Sequence, residues 1–140
     1  MKLILSLTFI LLSSQTVLAE TPCNEAVDSG ICVTVQNSKL ECHNASSSEY
    51  LNTCTATIAY DVNNNSNHAV DTKISCTVEL NYLQSVMGIR AIGQQRNGQL
   101  HNLPANTINR FAIPVEFKFS TQAEASNADI KTVSCLNEPT

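Results

Sequence analysis

The chain reads as all-β: an antiparallel β-sandwich of about seven strands held by disulfides. Three observations predict it. Two segments near the middle alternate strictly between apolar and polar residues, a third near the C-terminus does the same, and six cysteines all fall after an apolar leader. Alternation at a period of two puts every apolar side chain on one face of a strand, whereas a helix would scatter the same positions around its circumference.

The first element is the leader, MKLILSLTFILLSSQTVLAE. Lys2 supplies a positive start, Leu3 to Leu12 form an apolar run broken by Ser6 and Thr8, and Val17-Leu18-Ala19 suits a signal peptidase. The run is shorter than the roughly 20 apolar residues of a membrane span. Residues 1–19 therefore read as a signal peptide removed after Ala19, and 20–140 as a single β-sandwich domain in the periplasm or secreted, with no membrane span. Cys23 follows Glu-Thr-Pro rather than the small residues that precede a lipid-modified cysteine. The formal charge of −4 becomes more acidic once Lys2 is removed, which argues against a nucleic-acid or anionic-membrane surface.

Along the exported part, Ile31 to Gln36 is a weak first strand. Cys54, Ala56, Ile58, Tyr60 and Val62 then form the apolar face of a second, and Ile74, Cys76, Val78, Leu80 and Tyr82 that of a third. Between those two lies NNNSNH, whose asparagines tolerate left-handed backbone and bond their own main chain, so it reads as a turn. Gly88 to Gln95 and Gln99 to Leu103 are weaker strands joined at Asn97-Gly98, a strong hairpin dipeptide. Phe111, Ile113, Val115, Phe117 and Phe119 make another amphipathic strand, in which Pro114 signals an edge or a bulge. TQAEASNAD can hold a short helix, and Ile130 to Leu136 closes the series.

An even number of cysteines in an exported chain is the mark of a disulfide set, and Cys23, Cys32, Cys42, Cys54, Cys76 and Cys135 include no C-x-x-C. That spacing fits neither a zinc knuckle nor a thiol-disulfide oxidoreductase. Cys54, Cys76 and Cys135 fall on apolar strand faces. The expected pairing, one of many that six cysteines allow, is Cys76 with Cys135 as a link between sheets, Cys42 with Cys54 across an early loop, and Cys23 with Cys32.

The strand ending in YDVNNNSN, the strand TKISCTVELNY and the run LPANTINRFAIPVEF together resemble bacterial extracytoplasmic immunoglobulin-like modules of the FxLYD and late-embryogenesis type. The resemblance covers Asn52 to Phe119, about half of the chain. Val78 to Tyr82 keeps the alternation of the namesake tetrad but lacks its aromatic start and terminal Asp. It implies an immunoglobulin-like sandwich that binds or builds and carries no catalytic centre.

Chemistry is thinly signalled. His43, His68 and His101 occupy turn-like contexts, and a rival reading makes the chain a small secreted hydrolase or metal-binding protein using His43 and His68 with Asp71. There is no G-x-S-x-G elbow, Asp61 and Glu79 point outward, the four glycines are scattered and tryptophan is absent. No cofactor is expected. Asn44-Ala45-Ser46 and Asn64-Asn65-Ser66 are glycosylation sequons that would count only in a eukaryotic source.

The segment Ser85 to Arg110 contains no acidic residue yet holds Arg90, Arg96 and Arg110 beside Val86, Met87, Ile89 and Ile92, whose pattern reads as exposed. Arginine next to exposed apolar side chains is the composition that interfaces favour. Arg90, Arg96, Arg110, Ile89 and Ile92 are the expected contact surface, and the leading expectation is a non-enzymatic binding or structural module of the bacterial envelope or secretome. Its partner would be another protein or an envelope component. A third reading is a structural subunit that exchanges a strand through an open sheet edge.

Overall fold

The computed structural model describes residues 30–43 and 52–139. The leader, its cleavage site, Cys23 and the sequon at Asn44 lie outside the described residues. Six strands and one short helix follow in order: β1 (Ile31–His43), β2 (Asn52–Asn64), β3 (Val70–Leu83), β4 (Arg90–Leu103), β5 (Thr107–Phe119), α1 (Gln122–Ser126) and β6 (Asp129–Pro139). They build two antiparallel three-stranded sheets, β1-β2-β5 and β4-β3-β6. The edges approach each other in pairs, β1 with β6 and β4 with β5. Among the described residues, no helix is long and apolar enough to cross a membrane.

The alternation in β2, β3 and β5 sets the core. Tyr60, Ile58 and Val62 from β2, Ile74, Val78 and Leu80 from β3, and Ile113 and Val115 from β5 are buried between the sheets with Leu103, Val133 and the cysteines. Pro114 lies on β5, an edge strand, where a missing N–H is tolerated. Its carbonyl accepts a bond from the Asn97 side chain at 2.7 Å, which ties β5 to β4 across the gap between sheets.

Two expectations about strands change. Seven become six, because no hairpin forms at Asn97-Gly98. β4 runs straight through it, paired without interruption to β3 from Val70 opposite Leu103 to Leu83 opposite Arg90. Gly98 serves close approach instead of a turn: a Cβ there would come within 2.6 Å of Lys73 Cε and 2.8 Å of Ser75 Oγ. β1, expected to stop at Gln36, continues to His43. A bulge between Val35 and Asn37 shifts the inward parity from Val33 and Val35 to Ser38, Leu40 and Cys42, and that shift hides the second half of the strand from a period-two reading.

The disulfides Cys42–Cys54 and Cys76–Cys135 form as expected. Their geometry corrects one point. Cys76 stands directly opposite Cys135 on the neighbouring strand of the same sheet, so the link does not cross the core. Cys42 likewise faces Cys54 between β1 and β2. Both pairs have Cα atoms 4.0 Å apart, close to the spacing of directly opposed residues that do not exchange ladder hydrogen bonds. Parity decides which face a cysteine occupies, while the choice of neighbouring strand is a property of topology. Cys32 is also disulfide-bonded, and its expected partner Cys23 lies outside the described residues.

The two ends of the molecule are stitched differently. At one, Asn64 is fully buried and its amide nitrogen donates to the carbonyls of His68, Leu103 and Pro104 at 3.0, 3.2 and 3.1 Å. Its oxygen accepts from the backbone N–H and the hydroxyl of Ser66. One side chain thus joins the β2–β3 turn to the β4–β5 turn. At the other end, α1 packs beneath the β3–β4 connection, close to the Cys42–Cys54 bridge.

Candidate functional site

The β3–β4 connection is a tight turn. Gly88 donates its N–H to the Gln84 carbonyl at 2.9 Å, Gln84 donates to Ile89 at 2.9 Å, and Gly88 takes the left-handed backbone (φ 62°) that glycine adopts without penalty. The turn lifts apolar side chains away from the body. Val86 is 93% exposed, Met87 66%, Ile92 54%, Ile89 52% and Leu83 44%. These are five of the eight large hydrophobic residues exposed among the described residues. Single exposed apolar residues are ordinary, whereas several grouped at one turn and its flanking strand ends mark a contact surface.

The backbone beneath them is held by α1. Thr121 caps the helix and accepts from the Glu124 N–H at 3.2 Å. The buried Glu124 carboxylate accepts from Ser120 Oγ at 2.8 Å and from the Ser85 backbone N–H at 3.2 Å. Those two donors, the Ser120 hydroxyl foremost, hold its carboxyl below the usual glutamate range. Ser85 Oγ also bonds Thr121 Oγ1 at 2.6 Å, and the Leu83 N–H donates to Asn127 Oδ1 at 2.6 Å. The turn is therefore fixed while its apolar tips stay in water, which lowers the ordering cost of binding. Val86 and Met87 are exposed as the sequence suggests, whereas Leu83 and this pedestal were not anticipated. The motif T-Q-A-E at Thr121 to Glu124, a helix-capping signature, is the sequence signal for the pedestal.

The three arginines separate. Arg110 forms a two-pronged pair with Asp61 on β2, at 2.8 and 3.2 Å, and Arg96 pairs with Glu138 on β6. Glu138 also takes Ser75 Oγ at 2.7 Å and lies 3.7 Å from Lys73 Nζ. A segment without acids in its own sequence thus finds them on other strands, Arg110 on the adjacent β2 and Arg96 on β6 across β3. Arg90 is exposed and makes no ion pair among the described residues. It lies with Ile89 and Ile92 at the apolar turn, whereas Arg96 lies mid-strand and Arg110 on the other sheet.

The histidines do not converge. His43 ends β1 opposite Thr53, whereas His68 follows β2 beyond Asn64, so nearly the full length of β2, about 36 Å at 3.3 Å per residue, lies between them. This rules out the joint His43 and His68 metal site. No group of three or more His, Cys, Asp or Glu that could hold a metal occurs among the described residues. His101 corrects the turn assignment: it sits within β4, half-buried, stacked on Phe111 at 3.8 Å between ring centres. Its Nε2 is 2.8 Å from the Tyr60 hydroxyl. Burial pushes the His101 pKa down and raises that of Tyr60 to about 12. A half-open pocket of about 360 Å³ beside it is lined by Asp71, Thr72, Leu100, His101 and Asn102. Asp71 there accepts from Asn102 Nδ2 at 2.7 Å. The sequon asparagine Asn64 is buried, with its amide nitrogen engaged three times, so the fold leaves it no room for a glycan.

No family model matches the chain, and no curated protein matches it. The X-ray structure of Northeast Structural Genomics Consortium target SoR45 is similar at 15% sequence identity, over 82% of this chain and 90% of that chain, with a TM-score of 0.34.

Proposed function

We propose that the chain is an exported, disulfide-stapled immunoglobulin-like β-sandwich that serves as a non-enzymatic binding or structural module in the periplasm or outside the cell. It docks on a protein or envelope component through the β3–β4 end. One observation carries this reading: Val86, Met87 and Ile89 on the β3–β4 turn, with Leu83 and Ile92 on the strand ends beside it, are exposed at one end of the fold, where Glu124, Thr121 and Asn127 anchor the backbone. A fold gains nothing from holding a fixed apolar tip in water, and interfaces use pre-organised apolar anchors of this kind. Disulfides in the described part agree with an oxidising compartment.

The test compares the wild-type chain with a Val86→Ser, Ile89→Ser variant as bait in envelope extract at fixed salt. Exposed substitutions of this kind shift stability by about 0.5 kcal/mol or less, so the variant keeps its melting temperature within a few degrees. It is expected to lose proteins that wild type retains. Identical sets of captured proteins refute the assignment of function to this end.

A further inference from the structure

The apolar end of the β4-β3-β6 sheet is flanked by opposite charges. Register sets Arg90 beside Leu83 at the β4 edge, and sets Ile92, Asn81 and Asp129 side by side across the three strands, with Asp129 at the β6 edge. Leu83 and Asn81 share the strand parity opposite to the buried Leu80, so this set projects from the outer surface of the sheet. Arg90 and Asp129 are both exposed, and neither has an ion-pair partner among the described residues. They stand two strands apart, about 10 Å in the hydrogen-bonding direction, the interval that Arg96 spans to reach Glu138, but they do not pair with each other. Other charges on the same surface are engaged: Glu79 accepts from Thr132, and Arg96 and Lys73 share Glu138. Lys131 stands in the irregular step of β6, outside the regular ladder.

A surface with apolar side chains at its turn end, a cation on the β4 flank and an anion on the β6 flank is complementary to itself. A two-fold axis running along β3 lays β4 of one chain over β6 of another, so the cationic flank of each meets the anionic flank of its mate. We infer that the occupant of this surface is a second copy of the chain, with the apolar turns packed together and Arg90 of each copy set against Asp129 of the other. The inference rests on the reading of the β3–β4 end as a docking surface and adds the identity of its partner. Size supports it. The five apolar side chains expose roughly 500 Å², near the upper limit for a patch on a monomer. Two copies would bury about 1,000 Å² in total, the lower bound of a specific interface, so the association is weak and reversible.

Sedimentation velocity on the purified protein from about 1 to about 500 µM is expected to show the average mass rising toward twice that of one chain, with a dissociation constant in the micromolar range. Arg90→Asp and Asp129→Arg should each raise that constant at least about ten-fold, because each sets like charges together twice in a two-fold dimer. The chain carrying both changes restores opposite charges at both contacts and should return to within about three-fold of wild type. A monomer throughout, or a dimer that ignores either single change, or a double change that fails to restore it, overturns the inference. A monomer that still captures envelope proteins, and loses them on Val86→Ser, Ile89→Ser substitution, sinks self-association while leaving the docking reading intact. A dimer that dissolves in the Val86→Ser, Ile89→Ser variant supports both.

Discussion

Asn64 offers the sharpest test of how the fold is held. Substituting Asn64→Ala removes an amide that donates to three carbonyls and accepts from Ser66 twice. The five contacts do not count equally. Two N–H groups serve three carbonyls, so one bond is shared, and the Ser66 hydroxyl keeps its own bond to the His68 carbonyl at 2.9 Å. The bond to Leu103 is the wholly buried one, and its carbonyl would be orphaned at a cost of about 1–3 kcal/mol. Two further net hydrogen bonds add about 1 kcal/mol each, for a loss of roughly 3–5 kcal/mol. That is a large share of the roughly 5–15 kcal/mol that stabilises a domain, and corresponds to a melting-temperature drop of about 10–20 °C. Urea unfolding at neutral pH reads the loss directly, with an unchanged m-value as the sign that the same surface unfolds. Asn65→Ala, in the same turn but with an exposed side chain, is the control and should cost under about 0.5 kcal/mol. Asn64→Asp adds an arm. A carboxylate cannot donate to the three carbonyls, so at neutral pH this variant is less stable than Asn64→Ala, and acidification, which restores one O–H donor, narrows the gap. Equal midpoints for Asn64→Ala and Asn65→Ala would show that the two turns are held together by something other than this side chain.

Three further outcomes are expected. Tyr60, with its pKa raised to about 12 by burial, keeps its proton in the folded state after the unfolded chain has lost it. Its contribution is therefore present in full below about pH 10 and lost as pH rises toward 12, a decline of about 2–3 kcal/mol that Tyr60→Phe removes from the pH profile of urea midpoints. Glu124→Ala should speed exchange of the Ser85 amide at least about ten-fold while lowering global stability by about 1–2 kcal/mol, because it deletes the acceptor that anchors the β3–β4 turn. An unchanged Ser85 rate would mean that the pedestal does not hold the turn. Peptide mapping without reduction should recover Cys42 linked to Cys54 and Cys76 linked to Cys135. Replacing Cys76 and Cys135 by alanines should cost more than replacing Cys42 and Cys54, by about 1 kcal/mol from the longer loop closed.

The strands whose alternation is unbroken are legible without any structure. β2, β3 and β5 bury one face each, and a period-two pattern needs no knowledge of neighbours to be read. The same parity put Cys54, Cys76 and Cys135 inside, and the lost donor of Pro114 pointed to an edge or a bulge, of which β5 is the edge. The sequence also singled out Ile89, Arg90 and Ile92, at the apolar turn.

Other features depend on which strand lies beside which, and no local pattern encodes them. A bulge reverses the parity of β1 midway, and Asn97-Gly98 is pulled straight because β3 offers β4 an unbroken ladder with room for no Cβ opposite Ser75. Cys76 and Cys135 are neighbours within a sheet for the same reason. Arg96 and Arg110 find carboxylates far away in the chain, and the second asparagine of the NNNSNH run proves to be a buried hub, since a polar residue enters a core only where folding brings partners to it. Alternation is local and survives in the sequence, whereas register, strand order and polar pairing are relations between distant segments that exist only once the sheets have formed.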